Sequence, residues 1–133
     1  MGSISRIEDF EVWRKSRELV NFVFKITSDD KFNKEFFLKD QLKRSAISIM
    51  SNIAEGYGRG GNKEFIQFLY NANGSLNELK SQIYISRDAG LIEETDLNIS
   101  FDLLKQIELM IKALAKKLRE SEYKGSKYKV TEP

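Results

Sequence analysis

The stretch Ser51-Asn52-Ile53-Ala54-Glu55-Gly56-Tyr57-Gly58-Arg59-Gly60-Gly61 holds four glycines and an arginine in eleven residues. Glycine frees the backbone to wrap an anion, and arginine offers a bidentate fork to phosphate, so nucleotide chemistry is the first reading to test. A phosphate loop, however, needs GxxxxGK[ST] or GxGxxG between a strand and a helix. Here the glycines follow an apolar pattern of helical period, and no Lys-Ser or Lys-Thr pair directly follows them. The pattern instead predicts a helix that stops and reverses, with Arg59 at the tip of the turn, facing a carbonyl or a phosphate. Glu55 lies near the C-terminal end of that helix, where the macrodipole disfavours an acid. It needs a partner, and Arg44, Arg59, Asn52 or a backbone amide could serve. No second carboxylate pairs with it locally, so the segment lacks an acid–base couple.

The rest of the chain narrows the chemistry further. Its 133 residues contain no His and no Cys. That removes the usual general base near neutral pH, the commonest metal ligand, the thiolate nucleophile and any disulfide. Most hydrolase mechanisms and transition-metal sites lose their usual residues, and a carboxylate-only Mg²⁺ site has no motif here. The expectation is a non-enzymatic protein with no cofactor and no metal. No apolar run is long enough to span a bilayer, and the N-terminus lacks a signal-peptide core, so a cytoplasmic location with no membrane partner is expected.

Net charge is +2 but unevenly spread. Residues 112–133 carry Lys112, Lys116, Lys117, Arg119, Lys124, Lys127 and Lys129 against three Glu, leaving the remainder slightly acidic. A cationic end on a near-neutral body can meet phosphates; it can equally be a solvated chain end. Tyr123 and Tyr128 stand beside these cations and could stack on unpaired bases.

Four segments must position these groups. Apolar residues recur at helical spacing over about 8–27, 36–57, 63–88 and 96–119, and none alternates as a strand would. In the first, Phe10, Trp13, Val20, Val23 and Phe24 form the main line, widened by Val12, Leu19 and Ile26. The only proline is Pro133, so long helices meet no internal break. Ser28-Asp29-Asp30 with Asn33 breaks the first helix and can cap the second, Asn62 suits the cap of the third and Thr95 that of the fourth, while Gly90 suits the left-handed position that ends the third. Short connections predict an all-α, up-down-up-down antiparallel four-helix bundle over residues 1–120, with a flexible basic tail at 121–133.

A polar seam accompanies the apolar one. Gln41, Ser45, Ser48, Asn52 and Glu55 fall on one side of helix two, and Gln67, Asn71, Gly74 and Glu78, with Ser75 alongside, on one side of helix three. Gly74 in mid-helix costs roughly 1 kcal/mol relative to Ala, which suggests a close backbone approach. The two seams could hydrogen-bond between helices, line an oligomer contact, or face water.

Several blocks together resemble a known family. Phe10-Glu11-Val12-Trp13, Gln41 to Ala46, Ser48 to Arg59, Phe65 to Leu69 and Gly74 to Leu79 are similar, in order, to the four-helix-bundle proteins of the 23S rRNA intervening-sequence family. The likeness runs over about residues 8–118, and S-x-x-S-N-I-A-E-G is its most specific block. Such proteins often carry Pro where Met50 stands, so helix two should be less bent here. The resemblance implies a ring-like homopentamer of bacterial origin and no established enzymatic activity. It also extends to the accessory protein of diversity-generating retroelements, a pentamer that binds nucleic acid and a reverse transcriptase. Two functions follow as expectations: an oligomer associated with structured RNA, or a scaffold for a partner such as a reverse transcriptase or another nucleic-acid enzyme.

Overall fold

A computed structural model describes residues 6–123. Four α-helices make up the fold: α1 (Glu11–Thr27), α2 (Phe36–Gly58), α3 (Asn62–Asp88) and α4 (Glu94–Tyr123). Short 3₁₀ turns at Ile7–Asp9 and Asp30–Phe32 precede α1 and α2, and no strand occurs among the described residues. Each segment of helical period became a helix, with shifted ends. The first starts at Glu11 because residues 7–9 wind more tightly, and the last runs from Glu94 through Tyr123, past the boundary placed at 120.

The caps differ from those expected. Asn33 does not cap α2, whose N-cap is Glu35 with no side-chain bond. Asp29 does the capping in that connection, its carboxylate accepting from the Lys31 amide at 2.9 Å on the 3₁₀ turn. Asn62 lies inside α3 behind Gly61, and its side chain reaches α4 instead. Thr95 is inside α4; the Glu93 carbonyl accepts from Leu97 N–H, and the Glu93 amide donates to Asp96 Oδ2 at 3.4 Å. Acids in that first turn also suit the helix dipole. Gly90 takes the left-handed position expected of it, with φ 76°. Its amide donates to Arg87 O and the Leu91 amide to Ser86 O, closing the carbonyl end of α3.

The core is a single cluster drawn from all four helices. Leu42, Ala46, Ile49 and Ile53 of α2 meet Phe65, Leu69, Ala72, Leu76, Leu79 and Ile83 of α3, and Ile107, Ile111 and Leu118 of α4 complete the interior. In α1 the buried line is Val12, Leu19, Val23 and Ile26, while Trp13 and Val20 are half-buried and Phe24 is exposed. Phe10 and Val23 of the expected main line are buried, together with all three flanking residues, while Trp13, Val20 and Phe24 lie further out. Ser16 lies in the buried line and conceals its period; its hydroxyl donates to Val12 O at 2.7 Å, which satisfies the polar group. Thr27 is satisfied in the same way by Val23 O.

Contacts between consecutive helices fix which residues meet. Phe24 of α1 lies under Lys43 of α2, and Phe10, just before α1, packs edge-on against Tyr57 at 5.3 Å. Ser48 of α2 meets Ser75 of α3, while Gly56 meets Phe65 and Phe68. Phe101 of α4 meets Lys80 and Tyr84 of α3, and Leu118 meets Asn62. Late residues of one helix therefore touch early residues of the next. Phe10, Tyr57 and Phe65 form an edge-to-face group that closes one end of the core. At the other end Lys31 Nζ bonds Glu93 Oε1 at 3.0 Å, tying the α1–α2 connection to the start of α4. No helix among the described residues is long and apolar enough to cross a membrane.

Gly56 leaves no room for a side chain between α2 and α3. A Cβ there would lie 2.7 Å from Phe68 Cβ and 3.3 Å from Phe65 Cα, so neither neighbour can swing aside. Gly56→Ala gains up to about 1 kcal/mol of helix propensity but forces α3 outward, at about 1–3 kcal/mol of overpacking. A lower urea midpoint is expected. Gly58→Ala, with nothing within 4 Å, should leave the midpoint unchanged or raise it.

The exposed Lys31–Glu93 pair predicts a pH response. The hydrogen bond and charge of Lys31 hold the Glu93 carboxyl below its ordinary value, and Glu93 raises the Lys31 ammonium in the same way. Glu93 therefore contributes stability above its unfolded pKa that is lost as acid titrates through its lowered folded pKa. Lys31 contributes stability below its unfolded pKa that is lost as alkali titrates through its raised folded pKa. A Lys31→Ala/Glu93→Ala double-mutant cycle should show a small coupling at neutral pH that vanishes in acid, in strong alkali and in high salt.

Candidate nucleic-acid interface

The turn after α2 sets the position of Arg59. Gly60 supplies the left-handed residue, with φ 86°, and Gly61 begins α3 in extended conformation. Arg59 Nε donates to Glu55 Oε2 at 3.1 Å, one helical turn back, and its guanidinium lies 5.0 Å over the Phe68 ring. Of the four partners considered for Glu55, Arg59 is the one used. Arg44 instead bonds Asp40 at 2.7 Å. The Glu55–Arg59 pair is half-exposed, so part of the Arg59 fork still faces solvent.

The cationic end of α4 lies at this same end of the bundle. Asn62 Nδ2 donates to Leu118 O at 3.1 Å across a buried contact, linking the start of α3 to the last turns of α4. One residue on, Arg119 Nη1 donates to the Tyr70 hydroxyl at 2.6 Å. Lys116 is exposed on the turn before, and Lys117 is half-buried. Lys112 sits 3.8 Å from Glu108, which Lys105 also approaches at 3.4 Å. The fold thus groups Arg59 with Lys116, Lys117 and Arg119, and sets Lys112 further along α4. Lys124, Lys127, Lys129 and Tyr128 fall outside the described residues, as does the Tyr123 side chain. Tyr70 was missed; its signal was an aromatic standing outside the apolar stripe of α3.

The polar seam divides. Ser45 is buried, the Ser48 and Ser75 hydroxyls bond at 2.8 Å, and Asn52 Nδ2 donates to Ser48 O at 2.8 Å and Ser48 Oγ at 3.1 Å. Gln41 is half-buried beside them. On α3, Gln67 donates to Asn71 within its own helix, and Gly74 and Glu78 are exposed. A Cβ on Gly74 would meet nothing within 4 Å. Within one chain the close approach is made at Gly56, where the glycine sits under Phe68, and Gly74 stays open on the outer face of α3. α2 also runs unbroken through Met50. Among the described residues no group of three His, Cys, Asp or Glu comes together as a metal site would require.

Residues 8–113 match the family described as 23S rRNA-intervening sequence protein. The chain belongs to that family. No curated protein matches the chain. The matched span holds the whole polar seam, the Gly56 contact and Arg59, together with Lys112. Lys116, Lys117 and Arg119 lie beyond it, on the last turns of α4.

The serine pair gives a direct test of the seam within one chain. Single Ser48→Ala and Ser75→Ala variants should each lose stability, with a coupling of about 1 kcal/mol in the double-mutant cycle measured by urea unfolding. A coupling near zero would mean that the two hydroxyls do not depend on one another.

Proposed function

We propose that this protein is a non-enzymatic, oligomeric, nucleic-acid-associated bundle whose ligand is structured RNA. The order of contacts along consecutive helices supports an up-down-up-down antiparallel arrangement. That arrangement puts the ends of α2 and α4 together, so the grouping of Arg59 with Lys116 and Arg119 carries the reading. One chain's surplus is modest. A ring of copies, as the family resemblance implies, would repeat it on one face and build a strong field.

A protein-scaffold role is the second reading, and Phe36 and Phe37 favour it. They stand side by side at the start of α2, 76% and 80% exposed. Two adjacent uncovered aromatics suit a protein contact more than a phosphate backbone.

RNA binding over a salt series, followed by fluorescence anisotropy, tests the first reading. Affinity should fall steeply as salt rises, because bound phosphates release counterions. Each of Arg59→Ala, Lys116→Ala and Arg119→Ala should weaken binding and lower the salt slope by about one. A flat salt response removes the proposal, and a partner retained after nuclease treatment but lost in Phe36→Ala/Phe37→Ala supports the scaffold.

A further inference from the structure

We infer that the outer crevice between α3 and α4 holds an unpaired nucleic-acid strand. This rests on the nucleic-acid reading above and names the surface and the kind of strand. On α3, Lys63, Tyr70, Asn77 and Tyr84 follow one another at intervals of seven and are all exposed, so they stand in one line along the helix. On α4, Phe101, Lys105, Glu108, Lys112, Lys116 and Arg119 follow at steps of three and four, a second line. Contacts join the two lines at both ends. Tyr84 packs edge-on to Phe101 at 4.7 Å with Lys80 above the same ring, and Arg119 holds the Tyr70 hydroxyl. Between them lies an open groove of about 190 Å³, walled by Leu76, Asn77, Lys80, Leu104, Lys105 and Glu108.

Charge selects a polyanion as the occupant. Lys63, Lys105, Lys112, Lys116 and Arg119 stand in the two lines with one carboxylate, Glu108, and Lys80 adds a cation on the groove wall. Glu108 is shared between Lys105 and Lys112, so neither cation is fully neutralised. The aromatics select an unpaired strand. Tyr70 and Tyr84 are about half exposed, at 52% and 49%. Bases in a duplex hide their faces in the stack, whereas unpaired bases offer them to aromatic rings. From Tyr70 to Tyr84 the line runs about 21 Å at 1.5 Å per residue. That length holds about six bases at a stacked rise of about 3.4 Å.

Anisotropy with the full chain tests this against fluorescein-labelled oligouridylate, oligothymidylate and an RNA duplex of equal length. Either unpaired strand should bind more tightly than the duplex, and a preference between RNA and DNA then names the sugar that is read. Tyr70→Ala should weaken unpaired-strand binding about tenfold without changing the melting curve. Tyr70→Phe, which keeps the ring and loses the Arg119 contact, should retain it. Lys105→Ala/Lys112→Ala should lower the salt slope by about two, and Arg17→Ala, exposed on α1 and outside both lines, should leave it unchanged. Duplex binding as tight as single-strand binding and indifferent to Tyr70→Ala would overturn the crevice while leaving a nucleic-acid role on another surface. Failure of all three probes to bind would overturn both.

Discussion

The close approach of α2 to α3 at Gly56 is the constraint on which the rest of the molecule depends. With no side chain at that position, Phe65 and Phe68 press directly on the backbone of α2. Phe65 then completes the edge-to-face group with Phe10 and Tyr57, which brings the entry to α1 onto the same end of the core. Phe68, held on its other side, becomes the platform under Arg59. One missing methyl group thus sets the helix crossing, closes the core and places the arginine of the glycine-rich turn. Interiors packed to crystal-like density transmit such local constraints over several residues.

The polar groups show how a bundle can carry many hydroxyls and amides without losing stability. Ser16 and Thr27 return their hydrogen bonds to the preceding turn, Asn52 donates to Ser48 one turn back on α2, and Ser48 pairs with Ser75 between helices. Unpaired, each such buried group would cost about 1–3 kcal/mol. Asn73 Oδ1 and Gln82 Oε1 on α3 are buried with no partner among the described residues.

Much of the fold was legible because helical period survives in α2, α3 and α4, where the buried polar residues Ser45, Asn62, Ser75, Ser86 and Ser100 stand beside the apolar line and do not interrupt it. α1 was harder to read. Ser16 occupies a buried position, so the apolar line appeared to run through Trp13 and Phe24 instead. Caps were misread for a different reason. Asn33, Asn62 and Thr95 have the right side chains, but tertiary demands claimed Asn62 for α4, and the backbone left Asn33 two residues ahead of the cap position and Thr95 inside its helix. The partner of Glu55 was open in the sequence because several cations and amides lay within reach. The stacking pattern around Tyr70 was hidden because it depends on which helices are neighbours. The glycines showed the limit most clearly: Gly56 and Gly74 look alike in sequence, yet one is buried against aromatic carbon and the other faces open space.

The line of Lys63, Tyr70, Asn77 and Tyr84 has one more geometric property. Positions seven apart on a straight α-helix fall short of two full turns by about 20°. Over the three intervals from Lys63 to Tyr84 the line therefore winds by about 60° around the axis of α3, in the left-handed sense. A rigid rod laid along this rail would lift off at one end, so the shape itself favours an occupant pliable enough to coil.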